Sequence, residues 1–81
     1  MKVNLVAIMK NEAPYIKEWV DWHRKFMFDN IVVYDNGGNG DLSKLGITVI
    51  PFENVEKPQL RAYQDWINRM EFDSWTLFID R

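Results

Sequence analysis

Two aspartates each follow directly on a run of apolar residues, a position in which a carboxylate can meet a ligand at the edge of a sheet. Asp80 follows Trp-Thr-Leu-Phe-Ile, and Asp35 follows Ile-Val-Val-Tyr. A carboxylate held by a buried strand is a suitable ligand for a hard divalent cation. Oxygens of a diphosphate and of water would complete the coordination shell of that cation. The competing interpretation is that Asp80 only caps the loop after its strand, and spacing alone favours neither.

Asp35 and its neighbour Asn36 suggest contact with a nucleoside. A carboxylate here can accept hydrogen bonds from a ribose hydroxyl or a base N–H, as acidic residues do at this edge of dinucleotide-binding folds. The sequence Asp35-Asn36-Gly37-Gly38 is equally typical of an Asx turn. Both interpretations stay open on the sequence.

The turn after the first apolar run, from Ala7 to Glu12, contains no glycine. It therefore has neither the G-x-G-x-x-G fingerprint nor a P-loop, which argues against a nicotinamide or flavin dehydrogenase and against a P-loop phosphotransferase. Lys10 could meet a phosphate, and Asn11 could order the turn. The blander interpretation makes Asn11 a helix N-cap and Lys10 a solvated side chain.

For three further polar residues, the position in a predicted helix determines the distance from the ligand edge. Gln59 and Arg61 fall in the first turn of a predicted helix, where the helix dipole and the guanidinium could meet phosphate. His23, the one histidine, lies about eleven residues along a helix that runs away from the ligand edge, some ~15 Å from it. We therefore expect a core histidine rather than a general base.

The elements that must position these residues follow from apolar periodicity. Four apolar runs, at 3–8, 31–34, 47–50 and 75–79, predict strands. Because the runs are nearly continuous, they favour a parallel sheet with both faces covered. The order strand, helix, strand, strand, helix, strand predicts an α/β fold, a parallel sheet with flanking helices, whose ligand edge is at the carboxyl ends of the strands.

Both predicted helices are amphipathic. The first has apolar or aromatic residues at helical spacing, namely Ile16, Trp19, Val20, His23, Phe26 and Met27. The second runs over 58–70, and its predicted buried stripe consists of Leu60, Tyr63, Ile67 and Met70. Pro58 is expected near the first position of that helix.

Length, composition and charge limit the classes of protein and of partner that the sequence allows. The 81 residues, 47% of them hydrophobic, predict one folded domain over 1–81. A net charge of −2 gives no electrostatic footprint for nucleic acid, so we expect no nucleic-acid partner. Without cysteine, disulfides and thiolate metal sites are excluded. No leader or membrane span is evident, and the expected location is cytoplasmic.

Several short motifs occur together and in one order along the chain. They are I-M-K-N-E-A-P-Y at 8–15, E-W-V at 18–20 with His23, V-Y-D-N at 33–36, Q-L-R-A-Y at 59–63 and W-T-L-F-I-D at 75–80. In this order they resemble glycosyltransferases of the family 2 type, especially the group with a K-N-E strand end and a Y-D-N turn. The resemblance covers nearly the whole chain.

The resemblance implies the N-terminal, nucleotide-binding half of a GT-A, or Rossmann-like, glycosyltransferase fold. The donor would be a nucleotide-diphosphate sugar, expected to be a uridine diphosphate sugar, held with Mn²⁺ or Mg²⁺ by a D-x-D motif. Asp80 would be the first aspartate of that motif and Arg81 its middle residue. Asp35 would contact the nucleoside, and the strand end around Ala7 and Met9 would support the base.

The chain departs from the family pattern in one turn. The family's Y-D-N-x-S-x-D becomes Tyr-Asp-Asn-Gly-Gly-Asn-Gly-Asp over 34–41, so its serine is missing. The resemblance also places the acceptor-binding half and the catalytic base beyond Arg81, so the 81 residues are expected to be inactive alone. The acceptor, whether glycan, protein or lipid, stays unassigned.

Two further expectations concern partners. In the fold that the chain resembles, the strand at 75–79 would lie between the first strand and a later strand. Without that later strand, we expect the 81 residues to self-associate as a homodimer. The alternative to an enzyme is a non-catalytic nucleotide-binding or protein-interaction module. An aspartate directly after Arg81 in a longer parent sequence would favour the enzyme. A flavodoxin-like or receiver-like domain ranks last, because the turn at 9–11 lacks an acidic cluster and a phosphate loop.

Overall fold

A computed structural model describes residues 2–53, 57–71 and 73–80, with only the backbone of Asp80. The elements in chain order are β1 (Val3–Met9), α1 (Ile16–His23), β2 (Asn30–Asp35), β3 (Thr48–Pro51), α2 (Pro58–Arg69) and β4 (Trp75–Asp80). All four predicted strands and both predicted helices are present. Neither described helix is long and apolar enough to cross a membrane.

The four strands form one sheet in the order β3-β2-β1-β4, and every pairing is parallel. The central strand β1 is buried from Asn4 to Met9, which explains its nearly continuous apolar sequence. Ala7 lies opposite Val33 on one side and Ile79 on the other. The predicted α/β architecture, a parallel sheet with helices, is therefore confirmed.

Each face of the sheet has its own hydrophobic cluster. On the α1 side, buried residues of the sheet pack with Ile16, Val20 and the loop residue Leu42. On the α2 side, buried residues of β1, β2 and β3 pack with Ala62. The link between β2 and β3 contains no helix. Leu42 and its loop neighbours take the place of a covering helix there.

The start of α1 differs from the prediction. The helix begins at Ile16 with Tyr15 in the cap position, so the prediction of Asn11 as N-cap was wrong. Asn11 adopts a left-handed φ of 58°, and the Glu12 carbonyl accepts the N–H groups of Tyr15 and Ile16. A separate turn therefore precedes the helix and takes the chain away from β1.

The buried face of α2 also differs from the prediction. Leu60, Tyr63 and Ile67 are exposed, whereas Ala62 is completely buried against the sheet. Alanine permits close approach of helix and sheet, and the adjacent Trp66 donates its Nε1–H to Thr76 Oγ1 at 2.7 Å. The helix is thus turned so that Ala62 and Trp66 face the sheet, while Leu60 and Ile67 are exposed.

The exposed apolar residues include two from the predicted buried face of α1. The helix ends at His23, so Phe26 and Met27 lie beyond it and are exposed, Met27 by 95%. His23 is half-buried, with its Nδ1 2.8 Å from the Trp19 carbonyl. This is the satisfied structural histidine that the sequence predicted.

Candidate functional site

The carboxyl ends of the four strands meet at one edge of the sheet, where a cavity of about 520 Å³ opens on the α2 side. The walls come from the end of β1, from the residue after β2 and from the start of α2. They are Ile8, Met9, Lys10, Asn36, Lys57, Pro58, Gln59 and Leu60. Four of the residues predicted from the sequence, Met9, Lys10, Asn36 and Gln59, therefore line one cavity.

The charged residues that line this cavity in the described part of the chain are both basic. They are Lys10 and Lys57, and Pro58 begins α2 beside them. Lys57, in the cap position, makes no side-chain hydrogen bond to the N-terminus of α2. A helix N-terminus carries about half a positive charge, so the dipole and both ammonium groups favour an anion.

Lys57 reaches this position through its backbone. It occupies the residue before α2 with φ 50° and ψ 56°, the left-handed region, and Pro58 then enters the helix with a φ already suited to it. The sequence analysis predicted Gln59 and Arg61 in this turn but missed Lys57. The signal for it was the lysine immediately before a helix-starting proline.

Asn36 ties the cavity to two strand ends. Its Nδ2 donates to the Phe52 carbonyl at 2.8 Å, and its backbone N–H donates to the Met9 carbonyl at 2.9 Å. The ends of β1, β2 and β3 are thereby held at fixed positions. A ligand at this edge would meet a preorganised wall.

Asp35 lies at the same edge but on the α1 side. Its Oδ1 accepts the Gly37 N–H at 2.9 Å and a side-chain N–H of Asn39 at 2.7 Å. The first of these bonds closes an Asx turn, one of the two roles that the sequence left open. Oδ2 has no hydrogen-bond partner among the described residues, and Asp35 is not part of the cavity wall.

The residue that organises this loop is Asn39, which the sequence analysis treated only as part of a glycine-rich turn. Its side chain is buried with 2% exposure. Its Nδ2 donates to the Met9 carbonyl at 2.8 Å as well as to Asp35, and its Oδ1 accepts the Glu12 N–H at 2.9 Å. One amide thus links the end of β1, the end of β2 and the segment before α1.

The other predicted site residues lie outside the cavity. Ala7 is fully buried on the α1 face, and Asn11 is exposed beside Gly38. Arg61 lines a separate depression of about 400 Å³ with Phe52, Gln64, Asp65 and Asn68. The structure therefore brings half of the predicted binding residues together and separates the other half.

The predicted metal position is adjacent to the cavity. Asp80 is the register partner of Ile8, which lines the cavity wall. Within the described ranges, no group of three His, Cys, Asp or Glu residues could hold a metal ion. A cation here would therefore depend on Asp80 together with oxygens of a bound ligand.

A hydrogen-bonded network anchors α2 to the buried hydroxyl of Tyr34. The Tyr34 hydroxyl donates to Asp65 Oδ2 at 2.6 Å, and Arg69 Nε donates to the same oxygen at 2.6 Å. Burial, together with the hydrogen bond to Asp65, raises the pKa of Tyr34 well above its ordinary value. The network joins β2 to α2 and does not contact the cavity.

Comparison with known proteins gives this chain no relative. No protein-family model matches it, and neither a curated protein nor a solved structure does.

Proposed function

We propose that this chain is the nucleotide-sugar-binding half of a GT-A glycosyltransferase, and that the cavity over β1 and α2 takes the diphosphate of the donor. The observation that carries the proposal is the position of Lys10, Lys57 and the start of α2 at the carboxyl edge of a parallel sheet. This edge is where open α/β sheets bind ligands. The sequence resemblance supports a uridine diphosphate sugar as the donor.

Each wall of the cavity would have a separate task. Lys10 and Lys57 would neutralise the diphosphate, while the peptide groups at the start of α2 would orient it. Asn36, held by the Phe52 and Met9 carbonyls, would keep the edge rigid. Asp35 would accept a hydrogen bond from the nucleoside through Oδ2, on the other side of β2.

A divalent cation, Mn²⁺ or Mg²⁺, fits the position of Asp80 because that residue pairs with Ile8 beside the cavity. Carboxylate and phosphate oxygens are the ligands that such hard cations prefer. When bound, the metal would neutralise negative charge on the departing diphosphate. Lys10 and Lys57 would contribute to the same task.

The test is a titration of the 81-residue chain with uridine diphosphate, followed by NMR in the presence of Mg²⁺. We expect weak binding and shifts of the Lys10, Lys57 and Gln59 resonances. Lys57→Ala and Lys10→Ala should each weaken binding about fivefold, which corresponds to about 1 kcal/mol for an exposed ion pair. Lys25→Ala removes the same charge beyond the far end of α1 and should leave the affinity unchanged.

Two outcomes would count against the proposal. Sub-micromolar binding that neither lysine variant alters would place the ligand elsewhere. Equal affinity for uridine and for uridine diphosphate would mean that the cavity does not bind the diphosphate. That result would favour a non-catalytic module as the function.

A further inference from the structure

One buried side chain, that of Asn39, is bonded to both sides of the proposed donor site. Its Nδ2 donates to Asp35 Oδ1 at 2.7 Å and to the Met9 carbonyl at 2.8 Å, while its Oδ1 accepts the Glu12 N–H at 2.9 Å. Both N–H groups of the amide and its oxygen are therefore engaged. Because Asn39 is only 2% exposed, water cannot replace a partner that is lost.

The bond to Asp35 holds the carboxylate on the nucleoside side. Asp35 is the last residue of β2, so its backbone is fixed by the sheet. Its Oδ1 accepts from Asn39 and from the Gly37 N–H, and two donors on one oxygen restrict rotation of the carboxylate. With the backbone and Oδ1 both held, the direction of Oδ2 depends on the position of Asn39.

The other two bonds hold the segment that carries Lys10. Met9 and Glu12 flank Lys10 and Asn11 in the sequence, and the amide of Asn39 is bonded to the backbone at both flanks. Between these two bonds, Asn11 adopts a φ of 58°, which few residues with a side chain adopt. The backbone from which Lys10 reaches the cavity wall is thus held in one conformation.

We infer that Asn39 is the positioning residue for both halves of the donor site, because it directs Asp35 Oδ2 to the nucleoside and holds Lys10 at the diphosphate. The inference rests on the proposed function, which supplies the two ligand positions. Asn39 is not one of the residues that line the cavity, so it acts through its neighbours. Groups that are already ordered bind more tightly, since their ordering does not lower the binding free energy.

This role predicts a pattern of affinities across fragments of the ligand. Titrations followed by NMR use uridine and inorganic pyrophosphate as separate probes of the two halves. Asp35→Asn should weaken the binding of uridine alone, and Lys10→Ala should weaken the binding of pyrophosphate alone. Asn39→Ala should weaken the binding of both probes, each by about threefold or more, through the loss of preorganisation.

The control for a general loss of stability is Thr76→Val. It removes the hydrogen bond that Trp66 Nε1 donates at 2.7 Å, and Thr76 lies opposite Asn4, near the end of β1 that is remote from the cavity. This variant should also be less stable than wild type but should bind both probes as wild type does. Equal losses of affinity in Thr76→Val and Asn39→Ala would overturn the inference, because stability alone would then explain them.

Amide exchange in the ligand-free chain tests the bonds themselves. Asn39→Ala should speed exchange at both Glu12 and Gly37 by about tenfold or more. Asn39→Asp, which has the same shape, keeps an oxygen for the Glu12 N–H but sets a second carboxylate beside Asp35. Because the two carboxylates repel each other, exchange should become faster at Gly37 and stay slow at Glu12.

The two kinds of measurement separate this inference from the proposed function. Unchanged exchange at Glu12 and Gly37 in Asn39→Ala, or unchanged affinity of that variant for either probe, would overturn the inference. Binding of neither probe by wild type would instead overturn the proposed function. Faster exchange in Asn39→Ala would in that case still show that Asn39 holds both segments.

Discussion

At the scale of single residues, the two carboxylate oxygens of Asp35 differ in their hydrogen bonds. Oδ1 accepts the Gly37 N–H and a side-chain N–H of Asn39, and through Asn39 it is linked to the Met9 carbonyl. Oδ2 has no hydrogen-bond partner among the described residues. The two interpretations of Asp35 from the sequence, Asx turn and nucleoside contact, are therefore compatible, because they would use different atoms.

Variants of Asp35 can separate these tasks. Asp35→Ala removes both oxygens and should abolish measurable binding of uridine diphosphate while lowering the free energy of unfolding by about 1–2 kcal/mol. Asp35→Asn keeps an acceptor for Gly37 and Asn39 but replaces Oδ2 with a donor. It should keep the stability within about 0.5 kcal/mol and still lose the ligand. Calorimetry and chemical denaturation of both variants give the comparison, and unaltered binding by Asp35→Asn would remove Asp35 from the nucleoside site.

One glycine shapes the loop after β2. Gly38 adopts φ 73°, a left-handed conformation. A Cβ there would overlap the side-chain oxygen of Asn11, itself in a left-handed conformation. The glycine therefore permits Asn11 and the loop to lie against each other, an arrangement that a serine would disturb.

At the scale of elements, the bond between Tyr34 and Asp65 joins β2 to α2 and should give stability a distinct pH dependence. The pKa of Tyr34 is raised in the folded state by burial, so its contribution to stability is complete below the ordinary value of 10.0. As pH rises from there towards the raised pKa, the unfolded chain ionises first and that contribution is lost.

Tyr34→Phe tests this linkage. At pH 7 the variant should be about 1 kcal/mol less stable, through the lost hydrogen bond. Above pH 10, the free energy of unfolding should fall less steeply for the variant than for wild type. Tyr15→Phe, at an exposed position, should retain the steep fall. Parallel slopes for wild type and Tyr34→Phe in alkaline denaturation would contradict the assignment.

The accuracy of the sequence predictions varied with the kind of element. The strands were predictable because each has an apolar sequence, which in the inner strands β1 and β2 reflects burial on both faces. The orientation of α2 was not, because Leu60 and Ile67 are exposed while the completely buried residue is the small Ala62. Apolar periodicity detects the stripe formed by Leu60, Tyr63 and Ile67 but cannot tell which surface that stripe meets.

The candidate site, like the fold, was predictable only in part. The rule that ligands lie at the carboxyl ends of parallel strands correctly placed Met9, Lys10 and Asn36 on one edge. Lys57 and Asn39 were missed because their roles depend on loop conformation, a left-handed backbone in one case and a buried amide in the other. Neither feature has a periodic signature in the sequence.

At the scale of the whole molecule, the charged lining residues of the described cavity are two lysines, which suit the binding of an anion. Because the proposed function is that of the donor-binding half of an enzyme, we expect the 81 residues to release no uridine diphosphate from its sugar conjugates, with or without Mn²⁺. A coupled assay for the released nucleotide tests this, and activity that persists on repurification and is lost in Asp80→Asn would show that a catalytic group has been missed.

The position of β1 in the middle of the sheet sets the order in which the molecule can be assembled. Val3 pairs with Trp75, about 70 residues away along the chain, whereas the partners in β2 lie only about 26 residues away. Closing the longer loop costs more chain entropy, so β2 should join β1 before β4 does. During synthesis β1 leaves the ribosome well before β4, and its apolar edge remains open in the interval. The strongly apolar strand β1 therefore has one unpaired edge until β4 has been synthesised.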